Sequence, residues 1–283
     1  MNWTSLTPLE YFASLVADDR SFPLTEAVVA LAQDEDARHD LQSVLADIDA
    51  LAACLKARLP ADASPLVRLR QLQRYFFQEL GFVGHQEARS AADNYLHEVL
   101  RTRRGSPLAL AVIYLELAGQ IGLHAEGVSF PGHFLIRLSL PLGDVVLDPL
   151  NGQSLSRETL VGWLEPYTRQ ANSVHELSLD AYLRPAAARE VVALLLRQLE
   201  VVQRRAQDWV RLLAAQQRLV TLLPQEHDWR RERGLTLAQL GRAEEAIVDL
   251  ADYLGHVGLG APDRAQVAAQ LRALRATARA RWY

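Results

Sequence analysis

Cysteine occurs once, as Cys54. A single thiol excludes an intramolecular disulfide and any zinc site built on cysteines. Long apolar runs are missing as well. The strongest candidate, "VVALLLRQLEVV", is broken by Arg197 and Glu200, whereas a membrane helix needs roughly 18 uninterrupted apolar residues. The opening "MNWTSLTPLEYF" has neither a basic n-region nor an apolar h-region, so it does not read as a signal peptide. A soluble, cytoplasmic chain with no membrane partner is the expectation. Positive charge is not in excess: a formal net charge of -4 lacks the basic footprint of a general nucleic-acid binder. The eight histidines include no His-x-x-x-His pair and no zinc-ligand spacing, so no metal is assigned. "LGHVGLGAPDR" lacks the preceding strand and the following Lys-Ser/Thr of a phosphate loop, and no cofactor is expected.

What is present is ordinary for a folded protein. The 283 residues are 49% hydrophobic and 23% charged, enough for one large or two medium domains. The first 100 or so residues read as helices. "TPLEYFASLVADD" begins with Thr7 as N-cap, Pro8 in the first turn and Glu10 at the capping-box position. "SPLVRLRQLQRYFFQELGF" repeats that start with Ser64 and Pro65 and stops at Gly81. In "LQSVLADIDALAACLKARL" apolar residues recur at helical spacing, and Cys54 is expected to be a small buried thiol within that pattern. From Pro107 to about Ile121 apolar residues cover nearly every side, which predicts a centrally buried helix.

Strands follow. "HAEGVSF" is short and mixed, whereas "HFLIRLSL" alternates with a period of two. "PLGD" is turn chemistry and "VVLDPL" a second apolar run, so residues 133–150 are expected to form an antiparallel hairpin. With the turn centred near Leu140–Pro141, His133 lies opposite Asp148. Cross-strand Cβ atoms are about 5 Å apart, close enough for a carboxylate to orient an imidazole. Taken singly, both residues have plain structural uses. A histidine after Pro131-Gly132 can satisfy backbone groups, and Asp148-Pro149 is common turn chemistry.

From about Arg184 the chain is helical to its end, in amphipathic segments joined at Pro224 and around Gly241. Gly234, Gly241, Ala246 and Leu250 fall at the small and packing positions of helix-pair repeats about 34 residues long. One repeat fits reasonably and the segment before Pro224 loosely; a plain helical extension is the alternative. Trp282 and Tyr283 are expected to pack back onto these helices.

The blocks "NYLHEVLRTRRGSPLALAVIYLELAGQIGL", "FPGHFLIRL" and "LDPLNGQ" resemble the transglutaminase-like superfamily. They are most similar to its SirB-type, YchA-like bacterial group, which joins that core to C-terminal tetratricopeptide repeats. "RRERGLTLAQLGRAEEAIVDLADYL" matches the repeat part. The resemblance implies an α+β fold: a helix-rich papain/transglutaminase-like core with a small antiparallel sheet, then an all-α repeat region. Residues 1–180 would form the first domain, with a helical part at 1–100 and the core helix and hairpin at 101–165; residues 181–283 would form the second. It further implies a catalytic cysteine at the start of the core helix with His and Asp on the sheet. His133 and Asp148 match the last two roles.

The nucleophile does not match. Counting from Gly105, the Gly-x-Cys pattern of active members places the cysteine at Pro107. Sliding back to Ser106 rotates the side chain by about 100° around the helix, and a hydroxyl, unlike a thiol, needs a base to take its proton during attack. Ser106 also has the cap-then-proline context of Thr7 and Ser64. The resemblance makes Asn94, Arg104, Pro107 and Asn151 the expected lining of a degenerate cleft. The basic run Arg101, Arg103 and Arg104 suits either a solvated loop or a grip on an acidic peptide or phosphate. Two functions are weighed. One is a non-catalytic protein- or peptide-binding module. The other is a hydrolase or acyltransferase on amide or ester bonds, with Ser106 attacking, His133 as base and Asp148 orienting it. A purely structural repeat scaffold is a third.

Overall fold

The computed structural model describes residues 6–35, 40–85, 90–170 and 178–280. Among the described residues, six α-helices precede the main sheet: α1 (Pro8–Leu15), α2 (Leu24–Val29), α3 (Leu41–Lys56), α4 (Pro65–Gln73), α5 (Leu96–Thr102) and α6 (Pro107–Gln120). Two short strands, β1 (Val83–Gly84) and β2 (Arg104–Gly105), lie among them. The sheet itself is β3 (Ala125–Phe130), β4 (His133–Leu140) and β5 (Gly143–Leu147). Then come α7 (Arg157–Gln170), α8 (Leu179–Tyr182), α9 (Ala188–Ala206), α10 (Trp209–Leu222), α11 (Asp228–Gln239), α12 (Ala243–His256) and α13 (Arg264–Ala280). No described helix is long and apolar enough to cross a membrane. The expected packing of Trp282 and Tyr283 lies outside the described residues.

The chain forms two compact units. One is Asp18–Leu195; the other joins the chain up to Ala17 with the chain from Leu196 onward. The architecture is the expected α+β core followed by an all-α region.

Within the first unit, α6 is the buried centre. Nine of its fourteen residues are buried, including Leu110, Val112 and Ile113, and its charged and amide side chains are confined to Glu116 and Gln120 near the C-terminal end. The sheet is antiparallel in the order β3-β4-β5, and α6 packs on β3 and β4. Leu135, Val128, Phe130 and Val146 point the other way and form a core with Leu160 and Leu164 of α7 and Leu179 of α8. No α6 residue belongs to that cluster, so the sheet is covered on both faces. This explains why Leu135 is as buried as its neighbours Phe134 and Ile136, despite the alternation read from sequence. Arg137 ties the same face together, pairing with Glu126 at 2.6 Å and donating to the Leu183 carbonyl at 3.0 Å.

The hairpin exists, but its register differs from the expected one. Leu140 pairs with Gly143 and Ile136 with Leu147, which puts Leu135, not His133, opposite Asp148. His133 instead pairs with Phe130 on β3. Pro141 has no N–H to give a ladder, so it is pushed into the two-residue connection, and Gly143 takes the φ of 125° that closes it. Cys54 also departs from expectation and is exposed. The buried stripe of α3 runs through Leu41, Val44, Ile48, Ala52 and Leu55, and Cys54 stands about 100° around the helix from Leu55.

In the second unit, α10 packs on α11, α11 on α12 and α12 on α13. Gly234 and Ala246 fill close helix approaches: a Cβ on Gly234 would lie 2.8 Å from Leu250 Cδ2, and Ala246 is fully buried with Leu213 and Leu237. These are the positions singled out by repeat spacing. The first helix, α1, belongs to this unit. Phe12 is buried against α10, with the Arg218 guanidinium 4.8 Å above its ring.

Candidate functional site

Helix α6 begins where three backbone segments meet. Gly105 is held close, since a Cβ there would fall 2.8 and 2.9 Å from the two Val99 methyls and 3.2 Å from the Asp93 carbonyl. The next residue, Ser106, donates its N–H to that carbonyl at 2.8 Å. Its Oγ accepts from the Ala109 N–H at 3.2 Å, and Pro107 occupies the first turn. The residue is 0% exposed. This is the N-cap geometry that Thr7 and Ser64 show at α1 and α4. Ser106→Ala is expected to cost about 1–2 kcal/mol, because the Ala109 N–H would be left without its cap in a buried setting. A urea titration checks this, and an unchanged midpoint would remove the capping role.

Asp148 sits just beyond β5. Its Oδ1 accepts from the Leu150 N–H at 2.8 Å and its carbonyl from Gly152 at 2.8 Å, so both groups build the turn that carries Asn151. Asn151 continues it, accepting from the Gln153 N–H at 2.8 Å. The turn is docked from below: Gln73 donates to the Gly152 carbonyl at 3.0 Å, and Phe77 fills the space a Cβ on Gly152 would need. Strand β1 then bridges the two regions. The Gly84 N–H donates to Leu150 at 3.0 Å, while Val83 and His85 donate to Arg103 and Gly105 at 3.0 and 3.1 Å. The start of α6 and the Asp148 turn thus flank one short strand. Nothing in the sequence pattern signals that strand, because two residues have no periodicity.

His133 is turned elsewhere. It shares the β4 face of Leu135, away from α6, and its ring stacks on Trp163 of α7 with centroids 3.9 Å apart and planes at 13°. The backbone beside it is equally confined, since a Cβ on Gly132 would collide with the Tyr167 hydroxyl. No hydrogen bond joins Ser106, His133 and Asp148 to one another among the described residues; the imidazole is oriented by a ring, not by a carboxylate. Of the expected cleft residues, Arg104 is exposed and Pro107 half-buried. Asn94 is fully enclosed, and neither atom of its amide has a partner.

The segment that carries this buried helix and antiparallel sheet matches a known family in sequence. The sequence profile of the transglutaminase-like superfamily matches residues 42–197, over half of the chain. The chain belongs to that superfamily. Ser106, His133 and Asp148 all fall inside the transglutaminase-like match, and a tetratricopeptide repeat profile follows at residues 199–274. A UPF0162 protein of Xylella fastidiosa strain Temecula1 is 34% identical over 241 residues, covering 84% of this chain and 85% of the relative. The UPF0162 protein YchA of Escherichia coli K12 is 26% identical, covering 82% and 86%. Protein SirB1 of Salmonella typhimurium is 26% identical, covering 75% and 78%. The chain is therefore a SirB-type transglutaminase-like protein with C-terminal tetratricopeptide repeats. No solved structure matches it.

Proposed function

We propose that this chain is a binding protein for a protein or peptide, in which the transglutaminase-like unit performs no acyl chemistry. One observation carries the reading. The hydroxyl nearest the expected nucleophile is 0% exposed and caps its own helix, and Pro107 stands where the resembled enzymes place a thiol. The other members support it: Asp148 uses its carboxylate in a turn, and His133 stacks on Trp163. Helical repeats of the kind found from residue 199 onward ordinarily present protein-binding surfaces. In this reading the exposed Arg104 and Asn151 contribute contacts in addition to those made by the repeats.

The test uses a serine-directed fluorophosphonate probe together with ester and amide hydrolysis assays on the purified full chain. No labelling and no turnover are expected, and His133→Ala should change neither. Labelling of the wild type that disappears in Ser106→Ala would replace this reading with the hydrolase or acyltransferase one. In affinity capture from a bacterial lysate, the same partner should be recovered less well by an Arg104→Glu, Asn151→Ala double variant. Equal recovery would move the binding surface off the transglutaminase-like unit.

A further inference from the structure

Two imidazoles and a carboxylate that are far apart in sequence converge in the repeat unit. Asp252 and His256 lie four residues apart on α12, so they share one face of it. His227 immediately precedes α11. Its backbone is fixed there, since its carbonyl accepts from the N–H groups of Arg230 and Arg231 at 3.0 and 3.2 Å. The packing of α11 on α12 delivers its ring to the same spot. His227 Nδ1 lies 2.9 Å from Asp252 Oδ2, and His256 Nδ1 lies 3.7 Å from that same oxygen. One ligand atom from each of the three residues falls within 4.8 Å of the others.

We propose that His227, Asp252 and His256 form a site for a divalent transition-metal ion of the zinc class. Zinc takes imidazole nitrogen and carboxylate oxygen at about 2.0–2.2 Å in a tetrahedron, which sets its ligand atoms roughly 3.4 Å apart. The distances of 2.9 and 3.7 Å bracket that value. Two nitrogens and one oxygen leave a fourth position for water, and this donor set disfavours magnesium and calcium, which prefer all-oxygen shells. The side chains are reachable, His256 being 53% exposed.

Two features tune the site. The rings of His227 and His256 stack with centroids 3.7 Å apart and planes at 9°. Both nitrogens can address one ion only if His256 tilts out of the stack and gives up its contact with the Asp252 carbonyl at 2.9 Å. Arg230 is the competitor, its Nε standing 3.2 Å from Asp252 Oδ2. A fixed positive charge there opposes a second one.

Tag-free full-length protein is titrated with Zn2+ against a chromophoric chelator, and its melting is followed with and without the metal. One equivalent is expected to bind with a micromolar Kd and raise the melting temperature, while Mg2+ does neither. His227→Ala, Asp252→Asn and His256→Ala should each weaken binding at least tenfold and abolish the thermal shift. Arg230→Ala should tighten it severalfold. The exposed His124, which is 71% exposed beside Glu126, is the control, and His124→Ala should change nothing. Equal Zn2+ affinity in wild type, Asp252→Asn and His256→Ala, with all three folded by circular dichroism, would overturn the site. So would binding no tighter than millimolar.

Discussion

Gly84→Val is expected to lower the melting temperature of the transglutaminase-like unit by roughly 6–12 °C. A Cβ on Gly84 would collide with Leu150 Cδ2 and fall 3.0 Å from Leu150 Cα and 3.1 Å from Leu110 Cδ1. The first contact could be relieved by rotating a side chain. The second involves backbone, so the Asp148 turn must move, and the Gly84 N–H would lose its bond to Leu150. Overpacking of this kind costs about 1–3 kcal/mol, and the lost hydrogen bond adds about 1. At roughly 2–4 °C per kcal/mol for a unit of this size, a loss of about 3 kcal/mol gives the stated shift. Gly119→Ala supplies the opposite sign from the same element set. Gly119 lies inside α6, where an added methyl would meet no atom within 4 Å, and its φ is an ordinary helical one. The substitution should stabilise by up to about 1 kcal/mol. Differential scanning calorimetry reads both. A Gly84→Val protein that melts with the wild type would show that the Asp148 turn is not held by β1.

Phe12→Ala is expected to be more damaging still, and to the other unit. Phe12 is 0% exposed, and its ring lies under the buried guanidinium of Arg218 on α10. Truncating a buried phenylalanine costs about 3–5 kcal/mol, and a desolvated cation also loses its aromatic face. For a unit of around 100 residues, 1 kcal/mol moves the midpoint by about 4–8 °C, so a fall of at least about 10 °C is expected. Limited proteolysis should then cut near α1 before it cuts elsewhere. Phe12→Leu, which keeps most of the volume, should recover over half of the loss. A truncation that leaves the transition in place would mean that α1 adds nothing to the repeat unit.

Local grammar is readable in this sequence and long-range pairing is not. Ser or Thr followed by Pro marks three helix starts, and each of Thr7, Ser64 and Ser106 caps its helix. The all-round apolar character of residues 107–120 announces a buried helix, and the small residues at Gly234 and Ala246 announce close repeat packing. The hairpin is visible, but its register turns on one proline: moving Pro141 into the connection shifts every partner by two residues and replaces His133 by Leu135 opposite Asp148. Spacing alone pairs His133 with a carboxylate because it carries no information about the α7 layer, which supplies Trp163. The His227, Asp252 and His256 cluster is hidden for a related reason. Only Asp252 and His256 share a helical spacing, and one of them is not a histidine.

The seating of α1 on α10 also sets an order of events during synthesis. Phe12 leaves the ribosome roughly 200 residues before Arg218 does, and translation at about 5–20 residues per second makes that a wait of some 10–40 seconds. The segment from Asp18 to Leu195 is made in full within that interval and can form its internal contacts there. The repeat unit must instead join ends that are distant in sequence, losing the entropy of that closure before any contact compensates. The earliest-made of the described helices is thus among the last to be packed.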